Sequence, residues 1–532
     1  MMASHNGLSS LTRILAALVG VLAACATSAF AQTLTLGTKL ELNTLDPHFF
    51  NAFPTGSSHA MFYEKLVQID AQGKVQPQLA TTWRIVDAAN PLIWEFKLRR
   101  GVKFHDGASF GADDVIATIE RVPTVPNSPN LFTQFTRNIV KMEKVDDLTV
   151  RLTTREPHPS LHHDLGNVFI VSSRIAKSAS TADFNSGKAV IGTGPYKYVE
   201  WVNGDRLIAE RFDAYWGDKP TWQRVTEKVI ATDATRMAAL LSGQVDAIDV
   251  VPSADLPRLK RETRFALFKG PAALIHYIAL DTDRDVSPFV AAKGGGALAS
   301  NPLKDVRVRR ALSLALNRAV IVDKLLEGSG VPAAQVTLPA LPGSSKTLKA
   351  DAPDMARAQA LLKEAGWAQG FKLTLHVTSG RYPNDTGIGQ TIAQAWSRLG
   401  LDVAVEAVPG QIFFTRATKQ EFSAFSAQYG ADEVGAGLRA LVAAPNRDRG
   451  YGTGNRVKYS NPAADGLLFD ALTTMDSAQR DAKLARAAEA YMADQAIIPV
   501  FHPIIDFAAK KGLVISPTVQ RRFNALMIRP TP

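Results

Sequence analysis

The sequence is poor in the features that would each assign a chemistry. Cys25 is the only cysteine among 532 residues, so no disulfide can close within the chain and no thiol cluster is available for a metal. Runs of five like charges are absent, although 60 Lys and Arg stand against 50 Asp and Glu. A basic excess spread this evenly reads as a solvated surface rather than a nucleic-acid footprint. No apolar stretch approaches the ~20 residues that a membrane-crossing helix needs. Enzyme signatures are also missing: there is no G-x-x-x-x-G-K-S/T, no H-E-x-x-H, no G-x-S-x-G and no strand-linked G-x-G-x-x-G. Gly450-Tyr451-Gly452-Thr453-Gly454 is glycine-rich, but polar loop flanks it. No catalytic residue and no cofactor is expected.

What is present begins at the N-terminus. Arg13 is the only Lys, Arg, Asp or Glu in the first 31 residues; an apolar run from Ile14 to Ala24 follows it, then Ala29-Phe30-Ala31. Basic start, short apolar core and small-residue cut site together read as a secretory signal cleaved after Ala31, which sends the chain to the periplasm. Leu22-Ala23-Ala24-Cys25 also fits a lipoprotein signal, so an anchor at Cys25 stays open. Residues 32–532 remain, enough for two or three domain-sized units, with 46% apolar and 21% charged residues overall, ordinary for a globular core.

Periodicity sketches an α/β chain. Ile93 to Leu98 and Val245 to Val250 alternate as half-buried strands, and Val145 to Leu152 reads as another. Helices are expected over 233–243, from Asp305 to Leu326, and over 354–365, 386–399 and 477–494. A strand at 371–377, the helix at 386–399 and a strand at 401–408 predict a crossover unit with a parallel pair. Gly294-Gly295-Gly296 is a flexible loop, and the chain ends in strand-like Ile497 to Phe501 and 513–515.

Several blocks then stand in a telling order. They are Leu45-Asp46-Pro47-His48, Gln78-Leu79-Ala80-Thr81-Thr82-Trp83, Trp94 through Gly107, Gly192-Thr193-Gly194-Pro195-Tyr196, Ala214-Tyr215-Trp216, Ser242 through Asp246, Asp305 through Ser313, and Leu361 through Gly366. Together they resemble the peptide/nickel-type extracytoplasmic solute-binding proteins, family 5, over essentially the whole mature chain. The resemblance implies a periplasmic-binding-protein-like clamshell of class II. It has two α/β lobes, an extra small α/β domain inserted in the first, and a ligand cleft closed by hinge bending. The implied division is 32–75, 186–269 and 500–532 in the first lobe, 76–185 in the inserted domain and 270–499 in the second lobe. Crossings fall near Gly270-Pro271 and Pro499-Val500.

The same resemblance implies a monomer that captures a small peptide or peptide-like solute and hands it to an ABC permease and ATPase complex. A receptor of the same fold feeding a sensor, or a binder of a non-peptide solute, is the alternative. A zwitterionic peptide in a closed cleft needs a carboxylate for its ammonium and a guanidinium for its carboxylate. In dipeptide binders of this family an Arg in a loop before a helix takes the second task; Gly380-Arg381-Tyr382-Pro383-Asn384-Asp385 resembles that loop. The Asp that holds the amino group is matched by Asp432 in Gln428-Tyr429-Gly430-Ala431-Asp432. The candidate site is therefore Arg381, Asp432, Tyr429, Tyr382 and Asn384. Local alternatives are a solvated loop arginine for Arg381, a helix N-cap for Asp432 and a core position for Tyr429. The sequence departs from the dipeptide pattern: Tyr429 stands where a tryptophan is expected, and Glu433 through Leu441 replaces an Asp-Pro-Asp run. No metal is expected, because no further His or Cys follows His162-His163-Asp164 at ligand spacing. His105 and the helix arginines Arg307, Arg309 and Arg310 are read as structural.

Overall fold

The computed structural model describes residues 33–50, 53–70, 73–128, 132–520 and 522–531. The expected export segment, with its cut at Ala31 and the alternative at Cys25, lies outside the described residues.

The chain opens on β1 (Thr33–Thr38). A four-stranded antiparallel sheet follows, built from β2 (Ala80–Ile85), β3 (Ile93–Leu98), β4 (Ile139–Asp146) and β5 (Thr149–Thr154) in the order β2-β3-β5-β4. Helix α1 (Ala112–Arg121) packs on it, and Phe96, Phe104, Val115 and Leu152 fill a core of their own. One expectation fails here. Val145 to Leu152 is not one strand but a hairpin, because Asp146 folds back to accept the amide of Leu148 at 2.8 Å and reverses the chain. A short helix, α2 (Leu161–Leu165), then leads to β6 (Tyr196–Val202), β7 (Arg206–Arg211) and β8 (Arg224–Val229), which extend from β1. Helix α3 (Asp233–Ser242) stops at Gly243, whose φ of +81° is the left-handed cap that glycine adopts without penalty. Of the strand expected over 245–250, β9 (Ala247–Ile248) alone pairs.

The second half is built on β10 (Phe265–Pro271) and β11 (Leu274–Leu280). The expected helix from Asp305 to Leu326 is broken. α4 (Val306–Leu314) ends, and Asn317 starts a new turn by accepting the amide of Val320 at 3.1 Å, so a second N-cap interrupts the periodic run. After α5 (Met355–Glu364) comes the crossover unit: β12 (Lys372–Ser379), α6 (Asp385–Arg398) and β13 (Asp402–Pro409), with Lys372 paired to Asp402 in parallel register. Helix α7 (Gly410–Thr418), β14 (Ala424–Gly430), α8 (Val434–Leu441), α9 (Pro462–Thr473) and α10 (Ser477–Ala493) complete this part. β14 also runs parallel to β12, with Val377 opposite Ser426.

One long strand, β15 (Ile498–Lys510), ties the halves together. Its start pairs with β11 (His276 opposite Phe501) and its end with β10 (Pro271 opposite Ile504 through Phe265 opposite Lys510). Both connecting strands thus change partners between Pro271 and Leu274 and between Phe501 and Ile504. The cores divide at the same place. Leu34, Phe62, Tyr196 and Val225 share a core with Phe507, Phe523 and Ile528, so the C-terminal segment returns to the first lobe. Ile275, Phe413, Tyr429 and Tyr491 pack on one face of the second sheet, and Leu312, Ile392 and Trp396 on the other. This is the mixed α/β clamshell of periplasmic binding proteins.

Several of the sequence blocks turn out to hold this frame together. Arg121 grips Asp46 with two hydrogen bonds of 2.9 and 2.7 Å, both side chains fully enclosed. His105 spans from the Asp-Gly turn to the carbonyl of Gly194 at 2.9 Å. Gly192 and Gly194 press so closely on Phe62 that a Cβ would fall 2.1 and 2.6 Å from its backbone. Arg307 pairs with Asp305 and Arg310 with Asp351, while buried Arg309 donates to the Asp494 carboxylate and to backbone carbonyls.

Candidate functional site

Three parallel strands, β12, β13 and β14, end on the same edge of the second lobe. The carboxyl ends of parallel strands are where open α/β sheets leave room for ligands. The loop after β12 carries Arg381, Tyr382 and Asn384; α7 begins directly after β13; and Asp432 follows β14.

Asp385 shapes the first loop. This buried carboxylate accepts the hydroxyl of Thr378 (2.9 Å) and the amides of Gly380 (3.2 Å), Arg381 (3.0 Å) and Tyr382 (3.3 Å). Gly380 and Asn384 take positive φ to make the bend. The backbone beneath Arg381 is thereby fixed while its side chain stays exposed. Its guanidinium lies 5.0 Å from the ring centre of Phe414 and 5.6 Å from that of Tyr382. Tyr382 in turn meets the ring of His276 edge-on at 6.4 Å. Asn384 faces away from this group, its amide donating to the carbonyl of Leu325 at 3.2 Å.

Asp432 lies at the seam between lobes. Its Oδ2 accepts from Nε2 of Gln520, in the C-terminal return, at 2.5 Å, and its Oδ1 is 3.4 Å from Nε2 of His163, on α2. Arg522 and Lys65 surround the same carboxylate. Burial lowers the affinity of both for their protons, and the charge of Asp432 partly restores it. Asp432 is not the helix N-cap; Glu433 is, accepting the amide of Ala436. Tyr429 is half-buried, its ring covering the place a Cβ on Gly454 would take, and burial raises its phenol pKa.

A second set of contacts crosses the seam. Arg439 on α8 approaches Asp164 on α2 at 3.4 Å, and His158 backs that carboxylate at 2.9 Å. Nearby, Arg137 donates to the carbonyl of Arg447 at 2.5 Å. A small crevice opens here, lined by Glu156, His158, Asp164, Glu433, Arg439 and Tyr451. Adjacent His162 points elsewhere, between Trp83 and Trp94, and burial lowers its pKa to about 4. Among the described residues no three His, Cys, Asp or Glu side chains are gathered to hold a metal ion, and no helix is long and apolar enough to cross a membrane.

The structure thus brings Arg381, Tyr382, Tyr429 and Asp432 to one end of the sheet and turns Asn384 aside. Sequence reasoning missed His163, Gln520, Arg522 and Lys65 around Asp432. They come from three distant segments, and nothing in their local pattern marks them.

A two-lobed α/β clamshell with polar side chains on both faces of its seam is the frame of a periplasmic binding protein. The profile of the bacterial extracellular solute-binding proteins, family 5, matches residues 74–439, and the chain belongs to that family. It is a binding protein and not an enzyme. It is similar to the glutathione-binding protein GsiB of Pectobacterium atrosepticum, with 28% identity over 465 residues, 85% of either chain. Two solved structures share the fold. One is the periplasmic binding protein DppA of Helicobacter pylori in complex with the peptide STSA (TM-score 0.78, 22% identity, 94% of this chain and 98% of that one). The other is NikZ of Campylobacter jejuni in complex with Ni(L-His) (TM-score 0.79, 22% identity, 94% and 99%).

Proposed function

We propose that this protein is the periplasmic capture component of an ABC importer and that its solute is a small peptide or peptide-like molecule held in the interlobe cleft. Arg381 takes the solute's carboxylate, Asp432 its ammonium, and Tyr382 and Tyr429 flank the chain between them. The observation that carries this reading is the placement of Arg381: a guanidinium on a rigid loop at the carboxyl edge of the sheet, stacked on Phe414 and free of any carboxylate partner among the described residues. A planar guanidinium in that setting is prepared for a bidentate carboxylate. Glutathione, bound by the similar GsiB, and peptides of the size of STSA are the first candidates.

The test is direct. Solute is released from the purified protein by denaturation and identified by mass spectrometry, and the refolded, solute-free protein is titrated with it by calorimetry. Arg381→Ala and Asp432→Ala are each expected to weaken binding by ~2–5 kcal/mol, the cost of truncating one partner of a desolvated charge pair. Unchanged affinity in both variants would show that the anchors are elsewhere.

A further inference from the structure

Phe414, on α7, holds a second cation besides Arg381. Arg456 reaches the same ring from the loop after α8, its guanidinium 5.3 Å from the ring centre against 5.0 Å for Arg381. The two charges are therefore gathered around one ring. Their other side-chain contacts are to neutral oxygens: Arg381 Nε donates to the Tyr382 hydroxyl at 3.3 Å, and Arg456 Nε to the Thr418 hydroxyl at 3.4 Å. Neither is ion-paired to a carboxylate among the described residues, whereas Arg416, on the same helix, pairs with both Glu406 and Glu421.

Like charges gathered around one aromatic ring repel, and ring stacking offsets only part of that. The arrangement is nonetheless built. Phe413, next to Phe414, is fully buried and fixes the helix. Gly410, at the start of α7, makes room for the Arg381 stem, whose Cδ would lie 3.3 Å from any Cβ placed there. Behind Arg456 stand the rings of Tyr277 and Tyr429, close enough to feel its charge. Two guanidiniums are thus held beside one ring, neither ion-paired to a carboxylate among the described residues.

We propose that Arg381 and Arg456, gathered on Phe414, form a two-guanidinium site, so that the preferred solute presents two carboxylates and not one. This rests on the peptide-like reading given above and narrows it to diacids, with Arg456 as a further specificity-determining residue. Glutathione, a tripeptide with two carboxylates, meets the requirement; a neutral dipeptide does not.

The experiment uses matched pairs of peptides that differ by one carboxylate: glutathione against its glycine amide, and Ala-Ala-Glu against Ala-Ala-Gln. Each is titrated into the refolded, solute-free protein and into Arg456→Gln, which keeps a planar polar head and loses the charge. The wild-type protein is expected to prefer the diacid of at least one pair by about tenfold or more, and Arg456→Gln to shrink that preference to within about twofold. Peptides that bind the wild-type protein without regard to carboxylate number would overturn the diacid assignment and leave the peptide reading standing, whatever the variant does. A variant that weakens both members of a pair equally would show Arg456 to be structural. No binding of any of the four peptides would count against the peptide reading itself, and the diacid assignment would fall with it.

Discussion

Single residues in this protein are chosen for what burial does to their charge. His48, His59, His105, His162 and His502 have pKa values lowered to about 4 and His276 to about 3, chiefly because burial disfavours the imidazolium. In the unfolded chain they titrate near 6.5, so between that pH and about 4 the unfolded state binds more protons than the folded one. Stability is then lost as pH falls through this window. Glu64 and Glu227, raised by burial to about 7, act in the opposite sense between their ordinary 4.5 and that value, but they are two against six. Thermal unfolding followed by circular dichroism is expected to show a midpoint that rises from pH 4.5 to pH 6.5. A flat or falling midpoint would contradict the neutral assignment of these imidazoles. The site residues show how far a sequence reaches at this scale. Arg381 and Asp432 can be named as candidates from sequence because their loops resemble those of the family. Arg456, Gln520 and Arg522 cannot, since each joins the site only when distant segments meet.

At the scale of elements, the blocks that made the family recognisable are mostly mechanical. Gly192 and Gly194 let one turn lie against the end of the helix before Tyr63, and His105 ties the Asp-Gly turn to the same spot. Gly192→Ala should place a methyl group against the Phe62 carbonyl and destabilise the first lobe by ~1–3 kcal/mol, as overpacking does. Urea unfolding measures it, and a midpoint equal to the wild type would refute the close approach. Periodicity located the crossover β12-α6-β13 to within a residue or two, because each element has a single face to bury. It failed where side chains compete with the backbone. Asn317 and Asp146 each draw a nearby amide to themselves, breaking the helix and the strand that apolar spacing alone would continue.

At the scale of the whole molecule, the seam is closed by a handful of polar contacts. Asp432 reaches His163 and Gln520, Arg439 reaches Asp164, and Arg137 reaches the Arg447 carbonyl. The His163–Asp432 and Arg439–Asp164 pairs are largely shielded from water, where desolvation offsets much of their attraction, so each adds little net stability to an interface that opens and closes. Among the described residues two strand connections, at Pro271–Leu274 and Phe501–Ile504, join the lobes along the main sheet, and they sit side by side as a hinge requires. On the proposed function, the closed form of this clamshell is selected by the solute. Small-angle X-ray scattering of the solute-free protein, before and after addition of the solute released from it, measures this most directly. A smaller radius of gyration on addition, with a profile matching the closed form, is the predicted result. An unchanged radius at saturating solute would contradict it.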